Sequence, residues 1–236
     1  MAHDSRDSFK SSPKRFHPRG LTICYEDRDI IVVDKSSGLL TVSTNKVREN
    51  TAFHLLMNYV KRGNLKSDRR VFVVHRLDRD TSGTLVFAKT LQAKRYLQEA
   101  WQGFQKIYIA VVNGHLPESH GVIVSYLAEN RACSVYSVHD PERGKLAKTG
   151  YKVLKESPAH SLLEIDLLTG RKNQIRVHLA DRGCPVVGDK KYGVKERGVK
   201  RLALHAASLS ILHPHSKQPM TFAAKLPGYF HTLMKT

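Results

Sequence analysis

The sequence predicts an α+β fold, a mixed and mostly antiparallel sheet with flanking helices. Three observations carry this. Short apolar or alternating runs dominate from residue 21 onward, helical spacing appears in only three segments, and the two kinds do not alternate regularly as parallel βαβ units require.

Residues 1–20 carry Arg6, Lys10, Lys14, Arg15 and Arg19 among Ser, Pro and His, with few apolar side chains. Such a segment cannot offset its own ordering entropy and is expected to be a disordered basic arm, either touching RNA or merely solvated. Its Asp4 and Asp7 do not fit the acid-poor pattern of a transit peptide. Strands are then expected at residues 30–34, 39–43, 71–75, 84–88, 106–112, 122–127, 151–155, 162–167 and 208–212, all apolar or alternating. Helices are expected at 51–61, where Phe53, Leu56, Met57 and Val60 share a face, at 92–101 through Tyr96, Leu97 and Ala100, and at 173–181 through Ile175 and Leu179. The stretch His139-Asp140-Pro141-Glu142-Arg143-Gly144-Lys145 reads as a loop between strands.

At 236 residues the chain can bury a substantial core, as one large domain or two small lobes. Its 39 Lys and Arg against 21 Asp and Glu give a formal net charge of +18, the electrostatic footprint of a protein whose partner is a polyanion. Membrane surfaces are anionic too, but no stretch approaches the roughly 20 apolar residues of a spanning helix, and no apolar signal-peptide core follows the start. Cys24, Cys133 and Cys184 are widely separated, without a Cys-x-x-Cys pair, and are expected to be reduced in a cytoplasmic setting. Among 13 histidines only His213 and His215 form a close pair, and no thiol or carboxylate cluster completes a site, so no metal is expected. No Walker-type loop or dinucleotide fingerprint is present.

The segment His75-Arg76-Leu77-Asp78-Arg79-Asp80-Thr81-Ser82-Gly83 lies between the apolar runs 71–74 and 84–88. It reads as a charged turn at the mouth of a sheet. Arg76 and Arg79 beside Asp78 favour its ionised form, which suits a nucleophile or a base. The plain alternative is that Asp78 and Asp80 only form a turn, since Asp, Ser and Gly dominate turns.

The segment resembles the signature of the pseudouridine synthases of the RluA type, a His-Arg-Leu-Asp tetrapeptide followed after two residues by Thr-Ser-Gly, in which the aspartate, here Asp78, is catalytic. The resemblance runs from about residue 21 to 230. Residues 25–35 and 37–42 are similar to the family's opening strand and turn, and Lys106-Ile107-Tyr108-Ile109-Ala110-Val111-Val112-Asn113-Gly114 to its tyrosine strand. Residues 168–179, with Gln174-Ile175-Arg176-Val177-His178, are similar to its second motif, and Arg201-Leu202-Ala203-Leu204-His205-Ala206 to its closing one. The resemblance implies a catalytic domain over residues 21–236 with a central cleft, lacking the N-terminal S4-type RNA-binding domain that many members carry.

It also implies the chemistry. Isomerising uridine to pseudouridine breaks the N1–C1′ bond, turns the uracil and joins C5 to C1′, with no net redox change and no imported group, so no cofactor is required. Asp78 would either attack C1′ or remove a ribose proton, and the sequence leaves both routes open. Asp80 is its rival, because hydrolytic glycosidases use two carboxylates. A desolvated carboxylate needs a partner, and the resemblance makes Arg176 that partner, against a solvent-facing helix arginine. Tyr108 is then expected against the target uracil, against the plain reading of a half-buried sheet aromatic. Arg76, Arg171 and Lys172 are the expected RNA-binding residues, with Arg76 either filling the space of a flipped base or pairing with an aspartate. Basic residues at 61–70 and 190–201 form a possible RNA track or a solvated face. Asn173 departs from the family's usual histidine. The substrate implied is a uridine in structured ribosomal or transfer RNA, the default state a monomer, and the competing reading a non-catalytic RNA-binding or ribosome-assembly factor. A nucleosidase releasing free uracil is a further alternative.

Overall fold

The computed structural model describes residues 17–43, 49–64, 66–194, 198–199 and 201–235. The expected basic arm lies almost wholly outside the described residues, as do Lys195, Arg197 and Lys200 of the expected basic track. Among the described residues the elements in chain order are β1 (Leu21–Glu26), β2 (Ile30–Lys35), α1 (Ala52–Lys61), β3 (Phe72–Val73), β4 (Ser82–Ala88), α2 (Leu91–Glu99), β5 (Gln105–Asn113), β6 (His120–Glu129), β7 (Val135–Val138), β8 (Lys145–Glu156), β9 (His160–Asp166), α3 (Gln174–Asp181), β10 (Leu204–Leu212), β11 (Pro219–Ala223) and α4 (Gly228–Leu233).

All strands join one sheet in the order β1-β2-β4-β10-β5-β9-β8-β6-β7, with β3 added to β4 and β11 to β10. The period of two sorts side chains between two cores. In β2, Ile31 and Val33 face the larger core with α1, α3 and α4, while Ile30 and Val32 face a second core closed by Ala93 and Leu97 of α2. Thr51 and Thr90 cap the starts of α1 and α2, accepting from the backbone N–H three residues on at 3.2 and 3.0 Å.

Pairing is antiparallel everywhere except between β4 and β10, which run parallel over only two pairs, His205 with Ser82 and Ala206 with Gly83. Beyond them β4 pairs with β2 and β3, and β10 with β11, so the sheet divides on either side of that short contact. The contact demands glycine. Gly83 has φ +113, and a Cβ there would stand 2.2 Å from the carbonyl oxygen of Ala206.

Two expected strands are corrected. Residues 39–43 form no ladder beyond a single bridge from Leu40 to Thr51, because their carbonyls are engaged elsewhere: Leu39 O accepts from Lys35 Nζ, and Leu40 O and Thr41 O accept from the N–H groups of Ala52 and Phe53 at the start of α1. The strand expected at 71–75 shrinks to Phe72–Val73, and its ladder is continued by side chains, with Gln98 Nε2 donating to the carbonyls of Val73 and Val74 and His75 Nε2 accepting from Val86 N–H. Conversely β8 begins at Lys145, six residues before the expected start, as an exposed strand of the hairpin with β6. The described residues contain no helix long and apolar enough to cross a membrane.

Candidate active site

Asp78 sits in the irregular segment between β3 and β4, and its neighbours are tied down on every side. Leu77 is bound through both backbone groups to Thr41, the Arg79 carbonyl accepts from Gly38 N–H (2.9 Å) and Lys35 Nζ (3.1 Å), and the Asp80 carbonyl accepts from Ser37 Oγ (2.7 Å). Lys35 is fully buried and spends its ammonium on three carbonyls, those of Ser36, Leu39 and Arg79. Burial pushes its pKa down to about 8, against the pull of Asp80 and Asp78. His75 stacks on Trp101 with ring centroids 4.2 Å apart. Burial, then the charge of Lys106, lowers its pKa to about 3, so the neutral ring is free to accept from Val86 N–H at 3.2 Å. With both flanks fixed, the Asp78 side chain emerges 31% exposed.

Arg176 projects from α3 to meet it. Its Nη1 lies 3.1 Å from Asp78 Oδ2 and 3.1 Å from Asn173 Oδ1, while Nε and Nη2 form a fork on Asp189 at 2.7 and 2.8 Å. Asp189 is fully buried and also accepts from the N–H groups of Lys191 and Tyr192. Burial opposes both charges, and their mutual pairing outweighs it: the guanidinium's pKa is raised and the Asp189 carboxyl is held below the usual carboxylate range. Tyr192 stacks under the guanidinium, 5.1 Å from Cζ to the ring centroid, and its hydroxyl accepts from Asn173 Nδ2 at 3.0 Å. Arg176 is thus held in place independently of Asp78.

The segment entering α3 is fixed by the buried Gln174. Its Oε1 accepts from Thr169 Oγ1 and Arg171 N–H, and its Nε2 donates to Lys148 O and Thr149 Oγ1. Asn173 adopts the left-handed conformation at φ 54. Asparagine tolerates that region better than most side chains, and its amide joins Arg176 to Tyr192, so the departure from histidine leaves a complete polar network.

Tyr108 comes from β5, in a row that runs Lys35, Gly83, Ala206, Tyr108, Ile165 across five strands. The residue is 9% exposed, and burial, then the charge of Asp78, raises the phenol's pKa so that it stays protonated. Asp78, Tyr108 and Arg176 line one cleft of about 90 Å³, with Leu77, Ile175 and Leu204 as apolar walls. Asp78 is its one lining carboxylate among the described residues. The closing motif braces it: Arg201 Nη2 donates to Ser82 Oγ, which bonds His205 Nδ1 at 2.9 Å, joining β4 to β10.

Arg76 and Arg171 also line the cleft, and Arg171 Nε donates to the Leu146 carbonyl at 3.1 Å. Arg76 forms no ion pair with Asp78 or Asp80. Lys172 is not among the lining residues and forms an ion pair with Glu129. Asp80 lies outside this cleft, beside Ser36, Lys190 and Arg201. Sequence reasoning missed Asp189, Gln174, Tyr192 and Lys35. The run Gly188-Asp189-Lys190-Lys191-Tyr192-Gly193 held a signal, an acid between two turn-forming glycines, that was obscured by its lysines.

The RNA pseudouridylate synthase family matches residues 29–181. Ribosomal large subunit pseudouridine synthase D of Xanthomonas campestris is 36% identical over 230 residues, covering 91% of this chain and 68% of that protein. The protein of the same name from Nitrosomonas europaea is 35% identical over 233 residues, covering 91% and 64%. The chain spans about two thirds of the length of these relatives. In fold it is similar to Human RNA Pseudouridylate Synthase Domain Containing 4, with a TM-score of 0.73 at 24% identity over 89% of this chain and 90% of that one. Matched over a segment that holds Asp78, Tyr108 and Arg176 together, and by relatives along nearly its whole length, the chain belongs to the RNA pseudouridylate synthase family.

Proposed function

We propose that the chain isomerises a uridine of large-subunit ribosomal RNA to pseudouridine, with Asp78 acting on the ribose. The observation that carries this is a single partly exposed carboxylate in the cleft, held by an arginine that a second, buried carboxylate fixes from behind. A hydrolytic glycosidase needs a second carboxylate near the scissile bond. Here Asp189 is wholly engaged with Arg176, and Asp80 does not line the cleft. The names of the relatives support ribosomal RNA as the substrate.

In this reading the target nucleotide leaves its stack and its uracil lies against Tyr108. Asp78 either bonds to C1′ or removes a ribose proton as N1–C1′ breaks. The uracil turns, C5 bonds to C1′ as the Asp78–C1′ bond breaks or as the abstracted proton returns to the ribose, C5 then loses its hydrogen and N1 gains one. A protonated Tyr108 serves as a stacking face and a hydrogen-bond donor rather than as a phenolate base. Arg76 and Arg171 at the rim fit phosphate contacts, whereas Lys172 is engaged with Glu129. All these groups come from one chain, so the active unit is read as a monomer, its domain as residues 21–236, and its setting as the cytoplasm, where free cysteines persist.

The test is RNA carrying tritium at uracil C5. Isomerisation releases tritium to water and leaves the base attached to the strand, hydrolysis releases tritiated free uracil, and a binding factor releases neither. Free uracil or no release from ribosomal RNA would contradict the proposal.

A further inference from the structure

A second concavity, of about 400 Å³, lies between α1, β3 and α2. Its apolar lining is Phe53 and Met57 of α1, four residues apart and so on one helix face, together with Val71 and with Phe72 and Val73 of β3. Phe53 and Phe72 are each half-buried, Phe53 packed against the larger core and Phe72 against the second, and each leaves part of its side chain to the groove. Four cations stand around them: Lys61 one turn beyond Met57, Arg69 and Arg70 from the connection into β3, and Lys94 from α2. None of the four forms an ion pair with a described carboxylate. Asp68, the one acid in residues 61–73, does not line the groove. Within residues 67–70, Arg69 N–H donates to Ser67 Oγ and Arg70 Nε to the Asp68 carbonyl.

Unpaired cations around half-buried aromatic side chains that line a groove suit single-stranded nucleic acid, phosphates meeting the charges and bases stacking on the rings. An acidic peptide would satisfy the charges but gives no reason for two aromatic faces. A flat membrane surface could not reach rings recessed in a groove. The groove is joined to the candidate site along the chain. β3 runs directly into the Asp78 segment, and Phe72 lies six residues before Asp78, at most about 22 Å along an extended chain.

We propose that this groove holds an unpaired segment of the RNA substrate beside the target uridine, its bases on Phe53 and Phe72 and its phosphates on Lys61, Arg69, Arg70 and Lys94. The groove would then add affinity and help select the substrate without taking part in the chemistry. The proposal rests on the reading of the chain as an RNA-directed enzyme, and its test separates the two.

Binding is measured by fluorescence anisotropy of a labelled oligouridylate of about 10 nucleotides, with photocrosslinking of its 4-thiouridine form. Arg69→Ala/Arg70→Ala, at two exposed positions, should weaken binding about tenfold and lower the salt slope by about 1.4, at 0.7 for each lost phosphate contact. Phe53→Leu/Phe72→Leu keeps an apolar lining but removes the π faces, and should weaken binding about tenfold at an unchanged salt slope. Crosslinks should fall in peptides holding Phe53 or Phe72. Unchanged affinity in both variants, or crosslinks confined to residues 171–176, would overturn the groove. Tritium release from ribosomal RNA is followed on the same preparations. Release with unchanged oligonucleotide affinity overturns the groove alone. Groove-dependent binding without release in the wild type overturns the enzymatic reading alone.

Discussion

Arg176 has one nitrogen on Asp78 and two on Asp189, and that division explains why the site needs a planar fork. Lysine can supply the charge but cannot hold a bidentate contact with one carboxylate while reaching a second. Arg176→Lys should therefore fold but lose at least about 100-fold in kcat, a loss of roughly 2.7 kcal/mol of transition-state stabilisation. Single-turnover tritium release checks this, and a near-normal rate would show that Asp78 does not depend on the fork. Tyr108→Phe keeps the ring and removes the hydroxyl, so oligonucleotide affinity should stay within about twofold while kcat falls. Tyr108→Ala should lose both, since base stacking contributes about 1 to 3 kcal/mol. That Asp78, Tyr108 and Arg176 would share one cleft was legible through the resemblance, because each lies in a contiguous motif. Asp189 and Lys35 were not, because nothing local says that a charged side chain in a basic run or at a strand end is fully buried. Their burial is decided by which distant segments fold over them.

At the scale of elements, the contact between β4 and β10 brings the Asp78 segment beside the Tyr108 strand, and Gly83 allows it. Gly83→Ala puts a methyl group into the Ala206 carbonyl at a left-handed φ. It should cost at least about 3 kcal/mol in urea unfolding, whereas Gly103→Ala, with nothing within 4 Å of its added methyl, should change stability by under about 0.5 kcal/mol. A similar loss at both positions would contradict the close approach. Helix α3 carries a pH signature. His178 is fully buried between Ser125 Oγ and Thr149 Oγ1, each at 2.9 Å, and burial chiefly lowers its pKa from 6.5 to about 4. Between those values the unfolded chain binds the proton and the native chain does not, so stability rises with pH across the window and is lost as pH falls. Wild-type stability should drop by about 3 kcal/mol more than that of His178→Gln between pH 6.5 and 4, read from urea midpoints. Parallel curves would place the acid sensitivity elsewhere. The helices at 51–61, 92–101 and 173–181 were legible to within about two residues from their periodicity. The strand expected at 39–43 failed because Lys35 and the first N–H groups of α1 take its carbonyls, and such long-range partners leave no mark on an alternating pattern.

For the whole molecule, one continuous sheet joins segments far apart in sequence. Asp78 and Arg176, 98 residues apart, meet at 3.1 Å, with α3 packed against β6, β7 and β8 and Asp78 carried on the segment before β4. The α+β class and the antiparallel bias could be read from strand-rich patterning without alternation. The strand order could not, because the pairing of β10 between β4 and β5 depends on long-range register that local periodicity does not encode. The net charge of +18 is spread over sites of different kinds. Some cations are spent inside the fold, as Lys35 and Arg176 are, and others stand unpaired around the α1–β3–α2 groove. The central claim is that Asp78 performs the chemistry on ribosomal RNA while the rest of the chain binds and positions it. The most direct measurement is single-nucleotide mapping of pseudouridine in unmodified ribosomal RNA incubated with the wild type and with Asp78→Asn, at concentrations where both bind the RNA equally. The account predicts pseudouridine at discrete positions with the wild type and none with Asp78→Asn, and pseudouridine formed equally by both would contradict it.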